Sequence, residues 1–427
     1  VIVSLLIFLG LLLLGMPVVF AIGIAGFVFF LLTPGLQPVM PVQLALSETQ
    51  NFALLAIPTF ILAGNLMNEA GVTRRLVQFA TLLTGHLAGG LGQVSVLAST
   101  LMGGVSGSAI ADASMQARVL GPEMQKRGYT PGFIAALQGF TGLLAVMIPP
   151  SIALILYGSI GQVSIGRLFA GGIGIGLLLA LVFMLVVAFL AKKRRYPRER
   201  ASPAPTREIA SAFLASFWAL IFPLILLITL RGGVFVPSEV GAAACVYALI
   251  LGSVVYRELG KAGLVRALKQ SVADIGMVSF LIACSALIGY AMKWEMWPQK
   301  LGQFLAGLQL ETTLVVLAVL LALLVLGTVL DSTVMIILTT PILVPAMKAL
   351  GVDLVHFGVL MALTCAIGLL TPPVGLSMYA VCSIMRCSVA EYLREGWPLL
   401  VAVLATILVA LLFPPLVTTL PNLLFHR

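Results

Sequence analysis

The sequence predicts an all-α, polytopic membrane protein made of two inverted copies of one module, each with a re-entrant helical hairpin and a proline-broken helix. Three observations carry that prediction. The chain is 61% hydrophobic and only 9% charged; a set of glycines and prolines recurs at a fixed offset; and the lysines and arginines sort by side only if two segments re-enter the membrane.

Soluble domains run at about half apolar and a quarter charged residues, far from this composition, so the bilayer is the natural solvent. The runs Leu168 to Ala191, Ala212 to Leu230 and Leu399 to Leu416 approach the ~20 residues a helix needs to cross the hydrocarbon core. The first fourteen residues are apolar but lack a basic leader. Gly15-Met16-Pro17 then opens another apolar run instead of a cleavage site, so they read as a first span. The cysteines Cys245, Cys284, Cys365, Cys382 and Cys387 stand singly, without metal-site or disulfide spacing, and read as packing residues. A net charge of +9 would suggest nucleic acid in a soluble chain. In a membrane chain the placement of the charge matters more than its sum, and no nucleic-acid partner is expected.

Lys192-Lys193-Arg194-Arg195, followed by Arg198, Arg200 and Arg207, lies between two apolar runs and fixes residues 192–208 on the cytoplasmic side. Counting back places Arg74, Arg75, Arg118, Lys126 and Arg127 inside if residues 90–125 enter and leave on one side. Counting forward does the same for Arg257, Lys261, Arg266, Lys269, Arg386 and Arg394 if residues 311–348 also re-enter. Of the 24 lysines and arginines only Arg167, Arg231, Lys293, Lys300, Lys348 and Arg427 then fall outside, as positive-inside bias requires. Both chain termini are expected on the outer side.

Those two segments repeat each other. Gly104, Leu120, Pro122, Met124, Gly128, Leu137, Thr141, Pro149 and Pro150 recur without a gap as Gly327, Leu343, Pro345, Met347, Gly351, Leu360, Thr364, Pro372 and Pro373, each 223 residues later. Pro17 finds a weaker counterpart in Pro237 to Tyr247, at an offset of 220. The hairpins are read at 90–125 and 311–348 and the broken helices at 131–160 and 354–385, dividing the chain into 1–89, 90–160, 161–310, 311–385 and 386–427. The first hairpin opens from the cytoplasm and the second from outside, so the copies are antiparallel. Inverted repeats with interrupted helices are the architecture of many secondary transporters. Residues Gly35 to Glu48 and Glu258 to Gln270 read as interfacial helices on opposite sides, and Trp294, Trp297 and Trp397 as an aromatic belt.

The first hairpin tip reads Gly103-Gly104-Val105-Ser106-Gly107-Ser108-Ala109-Ile110-Ala111-Asp112. Glycine and serine at membrane depth unwind a helix and offer carbonyls and hydroxyls, the hard oxygens an alkali cation requires. Close packing of small residues is the other reading of the same letters. Asp112 shifts the balance toward an ion, because a carboxylate at the centre of a span costs about 2.5 to 3.5 kcal/mol on insertion scales and requires a partner; a structural hydrogen bond or helix cap remains open. Within the same copy the tip faces Thr141, Gly142 and the break Met147-Ile148-Pro149-Pro150-Ser151, where two prolines free carbonyls one turn earlier. An ordinary proline kink is the alternative there.

In the second copy the matching pieces are Gly327-Thr328-Val329-Leu330-Asp331-Ser332-Thr333, and Thr364 with Gly368, Thr371, Pro372, Pro373 and Gly375. Ser106, Gly107, Thr141, Gly142, Met147, Gly327, Thr328, Thr364, Gly368 and Thr371 are accordingly the candidate sodium ligands, in two or more sites. Asp112 and Asp331 are not strict repeat mates, so their roles can differ. Helix starts at Ser108, Ser151, Ser332 and Val374 would aim free amides at a shared centre suited to a carboxylate. The candidate substrate contacts are Ser106, Ser108, Asp112, Ser151, Asp331, Ser332 and Gly375. Arg118 reads as a snorkelling anchor, and Glu239 and Asp274 as helix-end charges. No Walker-type glycine loop, Ser-His-acid arrangement or metal spacing of histidines is present, so neither a nucleotide nor enzymatic chemistry is expected.

The tip Gly103 to Ser108 with Ala111-Asp112-Ala113, Ile148-Pro149-Pro150-Ser151 and Thr371-Pro372-Pro373-Val374-Gly375 resembles the large membrane subunit of TRAP transporters, along essentially the whole chain. The resemblance implies sodium-driven symport by an elevator mechanism across a bacterial inner membrane. A transport domain (90–160 and 311–385) would move against a scaffold formed by the remaining segments, with periplasmic termini. It further implies a separate small membrane subunit of the DctQ type, a periplasmic binding protein that delivers the substrate, and a small organic acid as cargo. Ser106, Ser108, Asp112, Asp331 and the two Pro-Pro breaks fall at the family's motif positions; Ala109 stands where the family often has another serine. A proton-coupled carrier of similar design, an ion channel and an intramembrane enzyme are the rival readings, the last lacking a nucleophile and base.

Overall fold

The computed structural model describes residues 2–50, 52–233 and 235–425, with all their side chains except those of Phe52, Ala53 and Ser106. Among the described residues there is no strand, and the chain is helical almost throughout. The first half begins with α1 (Ile2–Leu13), α2 (Val18–Leu32), the short α3 (Met40–Thr49), α4 (Ala56–Glu69) and α5 (Val72–Thr84). A hairpin of α6 (Gly90–Ser106) and α7 (Ala109–Val119), with α8 (Gly121–Lys126) at its base, leads to α9 (Pro131–Met147), α10 (Ile152–Gly161) and the long α11 (Ile165–Arg194).

The second half repeats the order. It runs α12 (Thr206–Arg231), α13 (Pro237–Ile250), α14 (Lys261–Trp294), α15 (Trp297–Gly307), then a hairpin of α16 (Thr312–Gly327) and α17 (Ser332–Ala349). α18 (Leu354–Ile367), extended by one tight turn to Leu370, is followed by α19 (Leu376–Met385), α20 (Val389–Leu412) and α21 (Pro415–Leu424). The starts are written in the sequence. Thr130 caps α9 by accepting from the Phe133 amide at 3.4 Å, and its repeat mate Asp353 caps α18 by accepting from the amides of Val355 and His356 at 2.8 and 3.0 Å. Ser388 and Glu391 close a reciprocal capping box on α20.

Length separates crossings from half-crossings. α11 and α14, 30 and 34 residues long, reach about 45 and 51 Å, well past the ~30 Å hydrocarbon core. α7, with 11 residues, and α10 and α19, with 10 each, reach only about 15 Å, too short to cross the core alone. By length and composition α11, α12, α13 with its π-helical extension to Val255, α14, α17 and α20 qualify as spans; α9 and α10 qualify together, bent by 42° at their break.

The packing obeys the repeat. α6 packs on α9 as α16 packs on α18, and α2 packs on α14 as α13 packs on α4. Each hairpin also reaches into the other copy: α7 packs on α19, and α17 on α10. Near the centre α9 lies against α18, and both are buried on every face from Gly132 to Met147 and from Val355 to Ile367. That suits their apolar character all round the helix.

Three sequence expectations change here. Glu258 to Gln270 does not form a separate interfacial helix: from Lys261 it is the first part of the unbroken α14, whereas the first copy has the distinct α3 and α4. Asp274 is no helix-end charge but lies within α14, where it accepts hydrogen bonds from Asn65 at 3.2 Å and Gln270 at 2.9 Å. The C-terminal span is Val389–Leu412 instead of Leu399 to Leu416, because Pro414 and Pro415 end it and start α21. Glu239 does cap a helix start, accepting from the Val236 amide at 3.0 Å.

The basic loop is tied down. The amides of Glu199 and Arg200 donate to the Gly85 carbonyl at 2.9 and 3.1 Å, Arg127 at the hairpin base pairs with Glu199 at 3.0 Å, and Arg194 pairs with Glu395 on α20.

Close backbone contact makes one glycine indispensable to this packing. A methyl group at Gly172 of α11 would lie 2.4 Å from the Met147 carbonyl oxygen, while one at Gly276 of α14 would meet nothing within 4 Å. Gly172→Ala is therefore predicted to destabilise by about 1 to 3 kcal/mol, read as a lower unfolding temperature in detergent. Gly276→Ala should leave that temperature unchanged or slightly raised.

Candidate functional site

In the first copy the hairpin turns at Gly107, whose φ is +62°, and Ser108 caps α7 by accepting from the Ala111 amide at 3.4 Å. Opposite it, α9 stops at Met147, the Pro149-Pro150 peptide is cis, and Ser151 caps α10 by accepting from the Leu154 amide at 3.3 Å. Tip and break touch through their backbones. A methyl group at Gly107 would lie 2.5 Å from the Pro150 carbonyl oxygen, and one at Gly142 would lie 2.7 Å from that of Ala109. The Thr141 hydroxyl donates to the Gln138 carbonyl at 3.2 Å. The Met147 carbonyl abuts Gly172 on α11. The side chain of Ser106 lies outside the described residues.

The second copy builds the same junction with different letters. The Val374 amide donates to the Thr328 carbonyl at 3.1 Å, and a methyl group at Gly368 would lie 2.0 Å from the Gly327 carbonyl oxygen. The Pro372-Pro373 peptide is also cis. The Thr328 hydroxyl donates to the Val325 carbonyl at 2.8 Å, and that of Thr371 to the Ile367 carbonyl at 3.3 Å. Thr364 Oγ1 is buried and has no hydrogen-bond partner. α17 starts at Ser332 as the sequence reading has it, with Asp331 as its capping residue, while the start read at Val374 moves on to α19 at Leu376. Asp331 accepts from the Thr333 amide at 2.8 Å, because a short carboxylate bonds readily to the amide two residues on. Gly375, at φ +32°, precedes α19, since the left-handed turn there suits glycine.

The two junctions differ in cover. Ile148 to Ser151 are buried, whereas Pro372, Pro373 and Val374 are exposed. The first tip also leans on α12, where a methyl group at Gly104 would lie 2.4 Å from Pro223 Cγ. Thus each sequence-predicted tip meets its own break, and the second arm of each hairpin meets the other copy's half-helix. Asp112 and Asp331 each bond within their own hairpin. A cavity of about 370 Å³ lined by Pro298, Gln299, Gln303 and Pro345 lies away from both junctions.

Asp112 sits in a polar cluster that the motif reading missed. It is fully buried, and its Oδ2 accepts from Ser99 Oγ at 2.7 Å and from Gln116 Nε2 at 3.1 Å. Gln116 Nε2 also meets Ser99 Oγ. Ser95 Oγ donates its one hydrogen to Gln138 Oε1 at 2.7 Å, with Gln116 Oε1 at 3.3 Å as the longer, shared arm. Asp112 Oδ1 is buried without a partner, and a buried acceptor left unpaired calls for an explanation. A signal was present in the spacing: Ser95 and Ser99, like Asp112 and Gln116, are polar pairs four residues apart, one above the other on the same helix face.

Asp331 and Asp112 therefore make different demands. Asp331→Asn keeps a good capping group and should leave thermal stability within a few tenths of a kcal/mol, whereas Asp331→Ala should cost about 1 kcal/mol. Equal damage from both substitutions in a melting experiment would show that the charge of Asp331, and not its cap, is what counts.

Comparison with known proteins agrees with this geometry. Residues 5–416 match the family model described as the tripartite ATP-independent periplasmic transporter, DctM component. The chain is 35% identical over 415 residues to the sialic acid TRAP transporter large permease protein of Vibrio cholerae, covering 97% of each. It is 34% identical over 422 residues to the 2,3-diketo-L-gulonate TRAP transporter large permease protein of Escherichia coli, covering 98% of this chain and 99% of that one. It is 33% identical over 431 residues to the C4-dicarboxylate TRAP transporter large permease protein of Rhodobacter capsulatus, covering 97% of each. The crystal structure of the YdaH transporter of Alcanivorax borkumensis shares the fold, with a TM-score of 0.61 at 14% identity, over 97% of this chain and 100% of that one. The hairpins and Pro-Pro breaks thus belong to a transporter and not an enzyme: this multi-pass membrane chain belongs to the tripartite ATP-independent periplasmic transporter family, as its DctM component, the large permease subunit.

Proposed function

We propose that the chain is the permease of a sodium-coupled importer of a small organic acid. The observation that carries this reading is Asp112: a fully buried carboxylate with one oxygen held by Ser99 and Gln116 and the other without a partner. An anion kept at membrane depth needs a compensating cation, and an alkali ion that has shed water takes oxygen ligands of this hard type. The tip carbonyls and hydroxyls around Ser106, Gly107 and Thr141 supply further ligands in the first copy. Gly327, Thr328, Gly368, Thr371 and the unpaired Thr364 hydroxyl supply the second ion site.

Once ions neutralise the tips, the free amides at the starts of α7, α10, α17 and α19 present positive dipole ends suited to a carboxylate. Ser108, Ser151, Ser332 and Gly375 stand at those starts. The three relatives named above are named for sialic acid, diketogulonate and C4-dicarboxylates, all carboxylates, which supports that class for this chain. In this account residues 90–160 and 311–385 move as a unit against the scaffold in an inner membrane, with the 192–208 loop cytoplasmic and both termini periplasmic. A small DctQ-type membrane subunit and a periplasmic binding protein complete the system, and the binding protein shares the choice of acid.

A proton would satisfy the same orphaned oxygen, so ion replacement separates the two drivers. In liposomes holding the chain with its small subunit and binding protein, uptake of the acid retained by the binding protein should follow a sodium gradient and stop when choline replaces sodium. Asp112→Asn should lower sodium-driven uptake at least tenfold. Uptake that persists without sodium and follows a proton gradient would refute sodium coupling.

A further inference from the structure

The orphaned oxygen of Asp112 raises the matter of what holds its twin. We propose that Gln116 is a positioning residue which, with Ser99, Ser95 and Gln138, fixes Asp112 Oδ2 so that Oδ1 alone is presented to the coupling cation. The inference rests on the sodium reading above and assigns a role to four side chains that the hairpin motifs do not include.

Hydrogen-bond polarity dictates the arrangement. An ionised carboxylate can only accept, so Gln116 must turn its Nε2 toward Asp112 Oδ2, at 3.1 Å. Its Oε1 is then directed to Ser95 Oγ at 3.3 Å, the long arm of a single hydroxyl hydrogen whose short arm goes to Gln138 Oε1 at 2.7 Å. The Gln138 Nε2 that remains reaches Met124 Sδ at 3.6 Å, a weak acceptor. The charge on Asp112 thus orients Ser99 and Gln116 directly, and the cluster continues through Ser95 to Gln138 across α6, α7 and α9. All five polar side chains are buried, where bonds of a connected network strengthen one another.

Gln116 presents its Nε2, and not its oxygen, to Asp112, and its Oε1 is directed to Ser95, so it acts on the carboxylate and not as an ion ligand. Its donors are neutral, so the cluster leaves the negative charge of Asp112 uncompensated while fixing its plane. That combination favours one monovalent cation at Oδ1. Without Gln116, Asp112 Oδ2 would keep a single donor, Ser99, and the carboxylate could rotate away from the tip.

The test uses the purified chain with its small subunit and sodium alone as the probe. Thermal unfolding is followed over a sodium titration, with choline keeping ionic strength constant, and yields the sodium concentration for half-maximal stabilisation. Gln116→Met, similar in volume but unable to donate, should raise that concentration about tenfold, the lower end of the usual effect of an outer-shell ligand partner, while the unfolding temperature in choline stays near wild type. Ser99→Ala, which removes a single hydroxyl, should act in the same direction and carries the test if Gln116→Met does not fold. In the Asp112→Asn background neither change should weaken the sodium response further, since residues acting through one group are non-additive. A folded Gln116→Met or Ser99→Ala protein with the wild-type half-saturation, or one whose effect adds to that of Asp112→Asn, overturns the positioning role and leaves sodium coupling standing. A wild-type complex that ignores sodium overturns both.

Discussion

Backbone polar groups cannot be left open inside a membrane, and most of this structure follows from that constraint. Hydrocarbon offers no hydrogen bonds, so an interrupted helix survives only where protein covers the break or where it lines a water-filled cavity. Among the described residues the two hairpins and two broken helices are interrupted at 107–108, 148–151, 328–331 and 371–375; each hairpin tip is seated on a proline break, which buries the first break and leaves Pro372 to Val374 exposed. The contacts are backbone to backbone, as at Gly107 against Pro150 and Gly368 against Gly327, which explains why the conspicuous letters there are glycine and proline. Capping by Ser108, Ser151 and Asp331 then satisfies an amide at each new helix start where a side chain is available.

The inverted repeat solves the covering problem twice and also links the two solutions. Because α7 packs on α19 and α17 on α10, neither hairpin is complete without the other copy's half-helix. The copies are nonetheless unequal. The first break is buried and its tip lies against α12 at Pro223, while Pro372 to Val374 are exposed. The first copy buries the carboxyl group of Asp112 among Ser99 and Gln116, whereas the second uses Asp331 as a helix cap. A shared frame therefore supports two unlike junctions, consistent with two ion sites of different composition.

The frame was legible in the sequence because its determinants are rare residues with a strong backbone effect. Pro149-Pro150, Pro372-Pro373, Gly104 and Gly327 mark the hairpins and breaks. Helix starts were legible to within two residues: α17 begins at Ser332, as expected, and α19 begins at Leu376, after Gly375, in place of Val374. The fusion of Glu258 to Gln270 into α14 was not legible, since a charged, partly amphipathic stretch suits an interfacial helix as well as the cytoplasmic extension of a span. The polar cluster around Asp112 was missed for another reason. Ser95, Ser99, Gln116 and Gln138 are common residues with no motif of their own, and what joins them is three helices meeting in space.

The central claim is that the buried carboxylate of the first hairpin holds a cation that the transport cycle uses. Equilibrium binding of radioactive sodium to the purified permease complex, wild type beside Asp112→Asn, tests it most directly. The account predicts at least two sodium ions per chain in the wild type and the loss of one in Asp112→Asn with the other retained; equal binding by both proteins, or none by either, would contradict it.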